Sequence, residues 1–117
     1  MNTQQTLTPA DITNMVHEGK ATLIDVRDVS ELQSTGTADG AIHIPLMMIN
    51  TKANPKHPEF DTRLDLSRPV FLYCASGARS GMAAQALSQF GFADVMNLGG
   101  LANWVQAGGD RVPFAPS

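Results

Sequence analysis

The one cysteine among the 117 residues, Cys74, closes an apolar run, Val70-Phe71-Leu72-Tyr73, and is followed by Ala75-Ser76-Gly77-Ala78-Arg79-Ser80. A free thiol titrates near ~8.5, so only a small fraction is ionised at neutral pH, and the thiolate is the nucleophile. Lowering that value to ~6 takes roughly 3.4 kcal/mol of preferential stabilisation of the anion. The sequence offers three sources. A helix starting near Arg79 points its unpaired N–H groups back at the loop, worth ~0.3–2 kcal/mol. The Arg79 guanidinium brings a permanent positive charge. Backbone amides from Ala75 to Ser80 add hydrogen bonds to an anion. Together these approach the required size, and none does so alone. The residues after Cys74 are small, and Gly77 supplies the φ freedom for the backbone to curl with its N–H groups inward. The expected product is a cradle for an anion, or for a terminal sulfur bonded to Cys74. By residue type alone, a lone cysteine reads as a small buried hydrophobe. The order strand, cysteine, small loop, arginine, helix reverses that reading.

The elements that position this loop follow from pattern. Thr8-Pro9-Ala10-Asp11 starts a helix with a cap, a proline in the first turn and an early negative charge. Ile12, Met15 and Val16 keep helical spacing until Gly19. Residues 21–26 read as a buried strand, 28–32 as the start of a short helix ending at Gly36, and 41–45 as a strand closed by Pro45. Residues 46–69 are interrupted by Asn54-Pro55 and His57-Pro58, so a surface connection with one or two helical turns is expected, pinned by Leu64 and Leu66. Residues 70–73 form a strand without charge. Residues 79–90 form a helix with Met82, Ala83, Ala86, Leu87 and Phe90 on one stripe, and Gly91 ends it. Residues 94–98 form a strand, Gly99-Gly100 a turn, and 101–107 a last helix carrying Trp104. The tail, 108–117, is expected to be loose or draped on the surface. Short apolar strands alternating with helices imply an α/β domain with a mainly parallel sheet covered on both faces. Ligands of such sheets bind beyond the carboxyl ends of the strands, where Cys74 lies.

Composition narrows the function classes. The chain is 43% hydrophobic and 16% charged, which suits one globular domain over 1–117. A single cysteine makes no internal disulfide, so folding needs no oxidising compartment. Net charge is −3, with no basic stripe, so nucleic acid is not an expected partner. Residues 1–6 show neither a basic nor an apolar leader region, and no apolar run reaches membrane-spanning length, so the expected location is the cytoplasm without a membrane. One cysteine and three scattered histidines have no metal-ligand spacing, and no cofactor is implied.

Four segments resemble rhodanese-like sulfurtransferases. Residues 74–80 resemble the C-x-x-G-x-R-S loop of that family. Leu23-Ile24-Asp25-Val26-Arg27-Asp28 resembles its early (L/I)IDVR(E/D) strand. Gly40-Ala41-Ile42-His43-Ile44-Pro45 resembles GAI-x-IP, and residues 97–104 resemble the closing L-x-GG-x-x-x-W. The segments keep the family's order and span about residues 7–107. The resemblance implies a rhodanese-like fold with a central five-stranded, mainly parallel sheet between helices, its first edge strand over 5–7. It also implies ping-pong transfer of sulfane sulfur from thiosulfate or a persulfide, through a Cys74 persulfide, to cyanide or a thiol. Ala75, Ser76, Gly77, Ala78, Arg79 and Ser80 would hold the sulfur and donor, with Arg79 attracting the anion. A sulfur-carrying protein is a further partner it implies. The alternatives are a sulfur-relay or protein-binding module with weak turnover alone, or a phosphatase or oxyanion reductase of the same fold. Phosphatases of this architecture resemble C-x5-R, whereas this loop is C-x4-R and crowds a tetrahedral phosphate.

The chain departs from the family in two places. Gly36-Thr37-Ala38-Asp39-Gly40-Ala41 stands where many members read G-H-I-P-G-A, and Ala75 stands where many carry a basic residue. The second change weighs against thiosulfate as the physiological donor. Asp25 and Arg27 support the loop, more readily as an ion pair than as catalysts. His43 reads as satisfied or exposed, His17 and His57 as surface residues, Trp104 as core. Met47, Met48 and Ile49 read as core packing, with an apolar lip at a partner surface as the lesser reading.

Overall fold

The computed structural model describes residues 7–114. Its sheet is built from the uncharged strands. β1 (Thr22–Asp25) and β4 (Val70–Cys74) are buried along their whole length, as central parallel strands must be when helices cover both faces. β3 (Ile42–His43) and β5 (Val95–Gly100) flank them, giving the all-parallel order β3-β1-β4-β5. The edge strand expected over 5–7 falls outside the described residues except for Leu7, which packs against the core.

Alternation along the central strands divides the core into two layers. Ile24, Val70, Leu72 and Cys74 share one layer with Ile49, Leu64, Ala83, Leu87 and Phe92. Leu23, Phe71 and Tyr73 share the other with Ile12, Ala21, Leu101 and Trp104. Thus α3 (Ile49–Lys52) and α4 (Ala78–Gln89) lie on one face of the sheet, and α1 (Pro9–His17) and α5 (Leu101–Gln106) on the other. Thr8 caps α1 reciprocally with Asp11: the Thr8 N–H donates to Asp11 Oδ2 at 2.9 Å and the Asp11 N–H to Thr8 Oγ1 at 3.2 Å. α2 (Val29–Thr35) ends at Gly36, as its sequence requires. The long connection holds a 3-10 turn (Leu46–Met48) and α3, and is pinned by buried Leu64 and half-buried Leu66.

Four expectations are corrected. The tail is not loose throughout: β6 (Arg111–Val112) pairs antiparallel with β2 (Thr37–Ala38), in the segment where the family sequence is lost. Gly99 and Gly100 continue β5 and make no separate turn, with Gly100 opposite Cys74. Met82 is 55% exposed, because the inward stripe of α4 runs Ser80, Ala83, Leu87, and Met82 lies about 100° off it. In the 46–49 turn, Met48 and Ile49 pack inward but Met47 faces solvent at 81% exposure. No helix among the described residues is long and apolar enough to cross a membrane.

The narrower α4 stripe is testable. Leu87→Ala should destabilise by about 2–5 kcal/mol, since it leaves a cavity in a closed layer. Met82→Ala should stay within about 0.5 kcal/mol of the parent in urea unfolding.

Candidate active site

Cys74 is the last residue of β4, so its side chain sits at the carboxyl end of the sheet. Residues 75–77 bend immediately, and α4 begins at Ala78. The bend needs Gly77, whose φ of +101° is a left-handed conformation that a side chain strains. It turns amide hydrogens onto the sulfur: the Gly77 N–H donates to Sγ at 3.0 Å and the Ser80 N–H at 3.4 Å. Ser80 Oγ lies 3.4 Å from the same sulfur. β5 closes the other side, and a Cβ at Gly100 would collide with the Ala75 carbonyl oxygen, so glycine is required there for the strand to come so near.

Cys74 has no exposed surface. Burial pushes its thiol up. Hydrogen bonds from the Ser80 hydroxyl and from the Ser80, Gly77 and Ser76 amides outweigh that push and bring it down to about 7. The thiolate is therefore far more populated at neutral pH than in a free thiol. The enclosing surface of Sγ is thus polar on the loop side, though its strand packs in hydrocarbon.

Arg79 does not stand free beside the sulfur. Its two terminal nitrogens donate to the Glu31 carboxylate, Nη1 to Oε1 at 2.6 Å and Nη2 to Oε2 at 2.9 Å. The Arg79 guanidinium holds the Glu31 carboxyl down at about 2, and Glu31 in turn keeps Arg79 firmly protonated. This bidentate pair ties the first turn of α4 to α2 and leaves the loop amides and Ser80 as the direct donors to the thiolate.

Asn97, on β5, locks the loop from outside. Its Nδ2 donates to the Gly77 carbonyl at 3.0 Å, and its Oδ1 accepts the Gly99 N–H at 3.0 Å and the Ser80 hydroxyl at 2.7 Å. Ser80 has one hydroxyl proton, contested between Asn97 and the sulfur.

Asp25 and Arg27 lie behind the loop and make no hydrogen bond to Cys74. They form a buried ion pair, Arg27 Nη2 to Asp25 Oδ2 at 2.8 Å. The same carboxylate oxygen accepts the hydroxyls of Thr37, at 2.9 Å, and of Tyr73. The Ala38 N–H donates to the Tyr73 oxygen at 2.9 Å. Burial, then the Asp25 charge, pushes the Tyr73 phenol up, so it stays protonated and donates. Arg27 also donates to Thr35 Oγ1 and to the Gly36 carbonyl, both within 2.9 Å. His43 is satisfied by the Arg27 carbonyl, with Nε2 at 2.7 Å. Ala75, Ser76 and Ala78 are exposed on the rim. No group of three potential metal ligands occurs among the described residues.

Sequence reasoning missed Glu31, Asn97, Thr37 and Tyr73. Glu31 carried a signal only as the third helical residue after Asp28, where it reads as a cap; Asn97 appeared only as a residue of the 94–98 strand and of the 97–104 motif.

This strand-loop-helix arrangement is that of a known family. The profile of the Rhodanese-like domain matches residues 8–107. The chain belongs to the rhodanese-like family. It is 41% identical over 86 residues to the uncharacterised protein YqhL of Bacillus subtilis, an alignment taking in 73% of this chain and 61% of YqhL. It is 37% identical over 78 residues to the thiosulfate sulfurtransferase PspE of Escherichia coli, covering 67% of this chain and 68% of PspE. Among solved structures it is similar to RPA3614 of Rhodopseudomonas palustris, a protein of unknown function described as a possible tyrosine phosphatase. The TM-score is 0.75 at 28% identity, covering 92% of this chain and 84% of that one. The chain spans less than two thirds of the length of YqhL.

The ultraviolet absorbance of the thiolate should titrate with a midpoint of about 7. Ser80→Ala removes a donor to the anion, so its midpoint should rise towards the ordinary thiol range. An unmoved midpoint would assign the anion to the amides alone.

Proposed function

We propose that the protein is an enzyme that moves sulfane sulfur through a persulfide on Cys74. One observation carries the reading: a sulfur at the end of a central strand, lowered to about 7 by the backbone amides and the hydroxyl of its own loop. In the first half-reaction the Cys74 thiolate attacks the outer sulfur of the donor. A new S–S bond forms, the donor's own bond breaks, and its electron pair leaves with sulfite when the donor is thiosulfate. In the second, the acceptor attacks that outer sulfur and Cys74 departs as thiolate. Cyanide then leaves as thiocyanate, and a thiolate leaves as a persulfide. No net redox change and no metal is needed, and charge balances at each step.

The rim chemistry narrows the donor. Ala75 is uncharged, and Arg79 is engaged by Glu31, so little free positive charge faces a doubly charged thiosulfate. A persulfide fits this rim better as the physiological donor, with thiosulfate as a working probe. The same pairing weighs against a phosphatase. A phosphoryl dianion needs a guanidinium free to grip it, and the loop has four residues between Cys74 and Arg79.

Incubation with thiosulfate should add the mass of one sulfur atom to the intact protein. Cyanide should reverse the gain, and Cys74→Ser should show none. The loading rate should rise with pH and level off above about 7, because only the thiolate attacks. A protein that takes sulfur from neither thiosulfate nor a small persulfide would refute the proposal.

A further inference from the structure

Asn97 is exposed on β5, yet its side chain binds three partners around the cysteine loop. Two of them fix which way its amide points. The Gly99 N–H can only donate, and it meets Oδ1 at 3.0 Å; the Gly77 carbonyl can only accept, and it meets Nδ2 at 3.0 Å. A flipped amide would set donor against donor and acceptor against acceptor. The atom 2.7 Å from Ser80 Oγ is therefore an obligate acceptor, and Ser80 is the donor of that bond.

Ser80 has no exposed surface, and its Oγ also lies 3.4 Å from Sγ. Its single proton serves one acceptor at a time. Rotation about the Cβ–Oγ bond carries it from Asn97 to the sulfur without displacing a heavy atom. The Gly99 carbonyl, at 3.5 Å, is too distant to compete. While the sulfur is neutral, the short bond to Asn97 is the better one. Once the sulfur is anionic, its charge draws the proton over. Two oxygens then face each other at 2.7 Å with no hydrogen between them, so Asn97 opposes the help that Ser80 gives the anion. The ionisable groups on neighbouring elements are engaged elsewhere: Arg79 with Glu31, Arg27 and Tyr73 with Asp25, His43 with the Arg27 carbonyl, and Lys52 with Glu59. β5 and α5 carry none.

We propose that Asn97 is a positioning residue that parks the Ser80 proton while Cys74 is neutral and limits its delivery when the thiolate forms. The consequence for rates rests on the sulfur-transfer reading of Cys74; the consequence for titration does not. The thiolate appears twice in the cycle, as nucleophile in loading and as leaving group in unloading. A proton delivered without opposition would help the sulfur leave and blunt its attack. Thiolate nucleophilicity falls with pKa, and the best attacking thiol titrates near ambient pH. Asn97 holds the sulfur between these demands, and it gives the buried hydroxyl an acceptor at the persulfide stage. The proton stays on Ser80 Oγ throughout, so no bond beyond the S–S exchange is made or broken.

Asn97→Leu keeps the volume, excludes water and removes the acceptor. Its thiolate absorbance should titrate about 0.5–1 pH unit below the parent. Asn97→Ala, which cannot overfill the site, should move the midpoint the same way but less, because water can accept in place of the amide. Added to Ser80→Ala, Asn97→Leu should leave the midpoint where Ser80→Ala put it. A residue that merely anchored the loop would behave otherwise: its loss would raise the midpoint, with or without Ser80. A raised or unmoved midpoint in both single variants therefore overturns the proposal, as does a shift that persists without the Ser80 hydroxyl. At a pH well above both midpoints, Asn97→Leu should load sulfur from thiosulfate about two- to threefold more slowly and release it to cyanide faster by about the same factor. Slowing of both half-reactions would also overturn it. A lowered midpoint in a protein whose Cys74 takes no sulfur would uphold the role of Asn97 and refute the transfer chemistry. Sulfur transfer in a protein whose midpoint does not fall would refute the role of Asn97 alone.

Discussion

A thiolate shut away from water is an unfavourable charge, and the loop around Cys74 is arranged to keep it. Desolvation alone would drive the Cys74 thiol above its free value. The N–H groups of Ser76, Gly77 and Ser80 with the Ser80 hydroxyl reverse that. These donors outweigh burial, so the anion is favoured relative to an ordinary thiol. Donors on a fixed backbone do this better than a mobile side chain, because they need no reorganisation when charge appears. The requirement reaches outward from there. The amides converge only if the loop is tight, and the loop is tight only if residue 77 tolerates positive φ and residue 100 lacks a side chain.

Tightness also needs anchors, and they come from three directions. Asn97 holds the Gly77 carbonyl and the Ser80 hydroxyl from β5. The Arg79–Glu31 pair holds the first turn of α4 from α2. Behind the strand, Asp25 gathers Arg27, Thr37 and Tyr73, and so fixes the residue immediately before Cys74. A buried ion pair is weak evidence for stability, since desolvation consumes most of its attraction. Its value here is geometric. One carboxylate oxygen of Asp25 on β1 receives hydrogen bonds from Arg27 just beyond that strand, from Thr37 on β2 and from Tyr73 on β4, which sets how these strands meet at the carboxyl end of the sheet. The buried side-chain polar atoms among the described residues all have partners, so the network adds no unpaired group.

Much of this was legible in the sequence because the signals were local. Strand, cysteine, small loop and helix are contiguous, and Thr8-Pro9-Ala10-Asp11 carries its own cap. What was not legible depends on chain folding back from a distance. Two-residue strands such as Thr37–Ala38 and Arg111–Val112 are too short for any periodicity, and their pairing spans most of the chain. The Arg79–Glu31 pair joins residues 48 apart, so Arg79 read as a free charge. Asn97 reads as one residue of the 94–98 strand, and its polar role appears only once β5 lies beside the loop. The α4 stripe was drawn too wide at Met82, because helical spacing gives a face but the neighbouring elements decide how much of it is covered.

The pairing of Arg79 with Glu31 changes how charge is distributed around the sulfur. An unpaired guanidinium in the loop would favour dianionic ligands and would slow their release. With Glu31 in place, the cation near the sulfur is compensated, and so is Arg27 through Asp25. Among the described residues, exposed Arg111 on β6 has no carboxylate partner, and it makes no hydrogen bond to the cysteine loop. The anion at Cys74 is thus held by the fixed amides and the Ser80 hydroxyl of its own loop and not by a mobile guanidinium, so its stabilisation costs no rearrangement of long side chains when the charge appears.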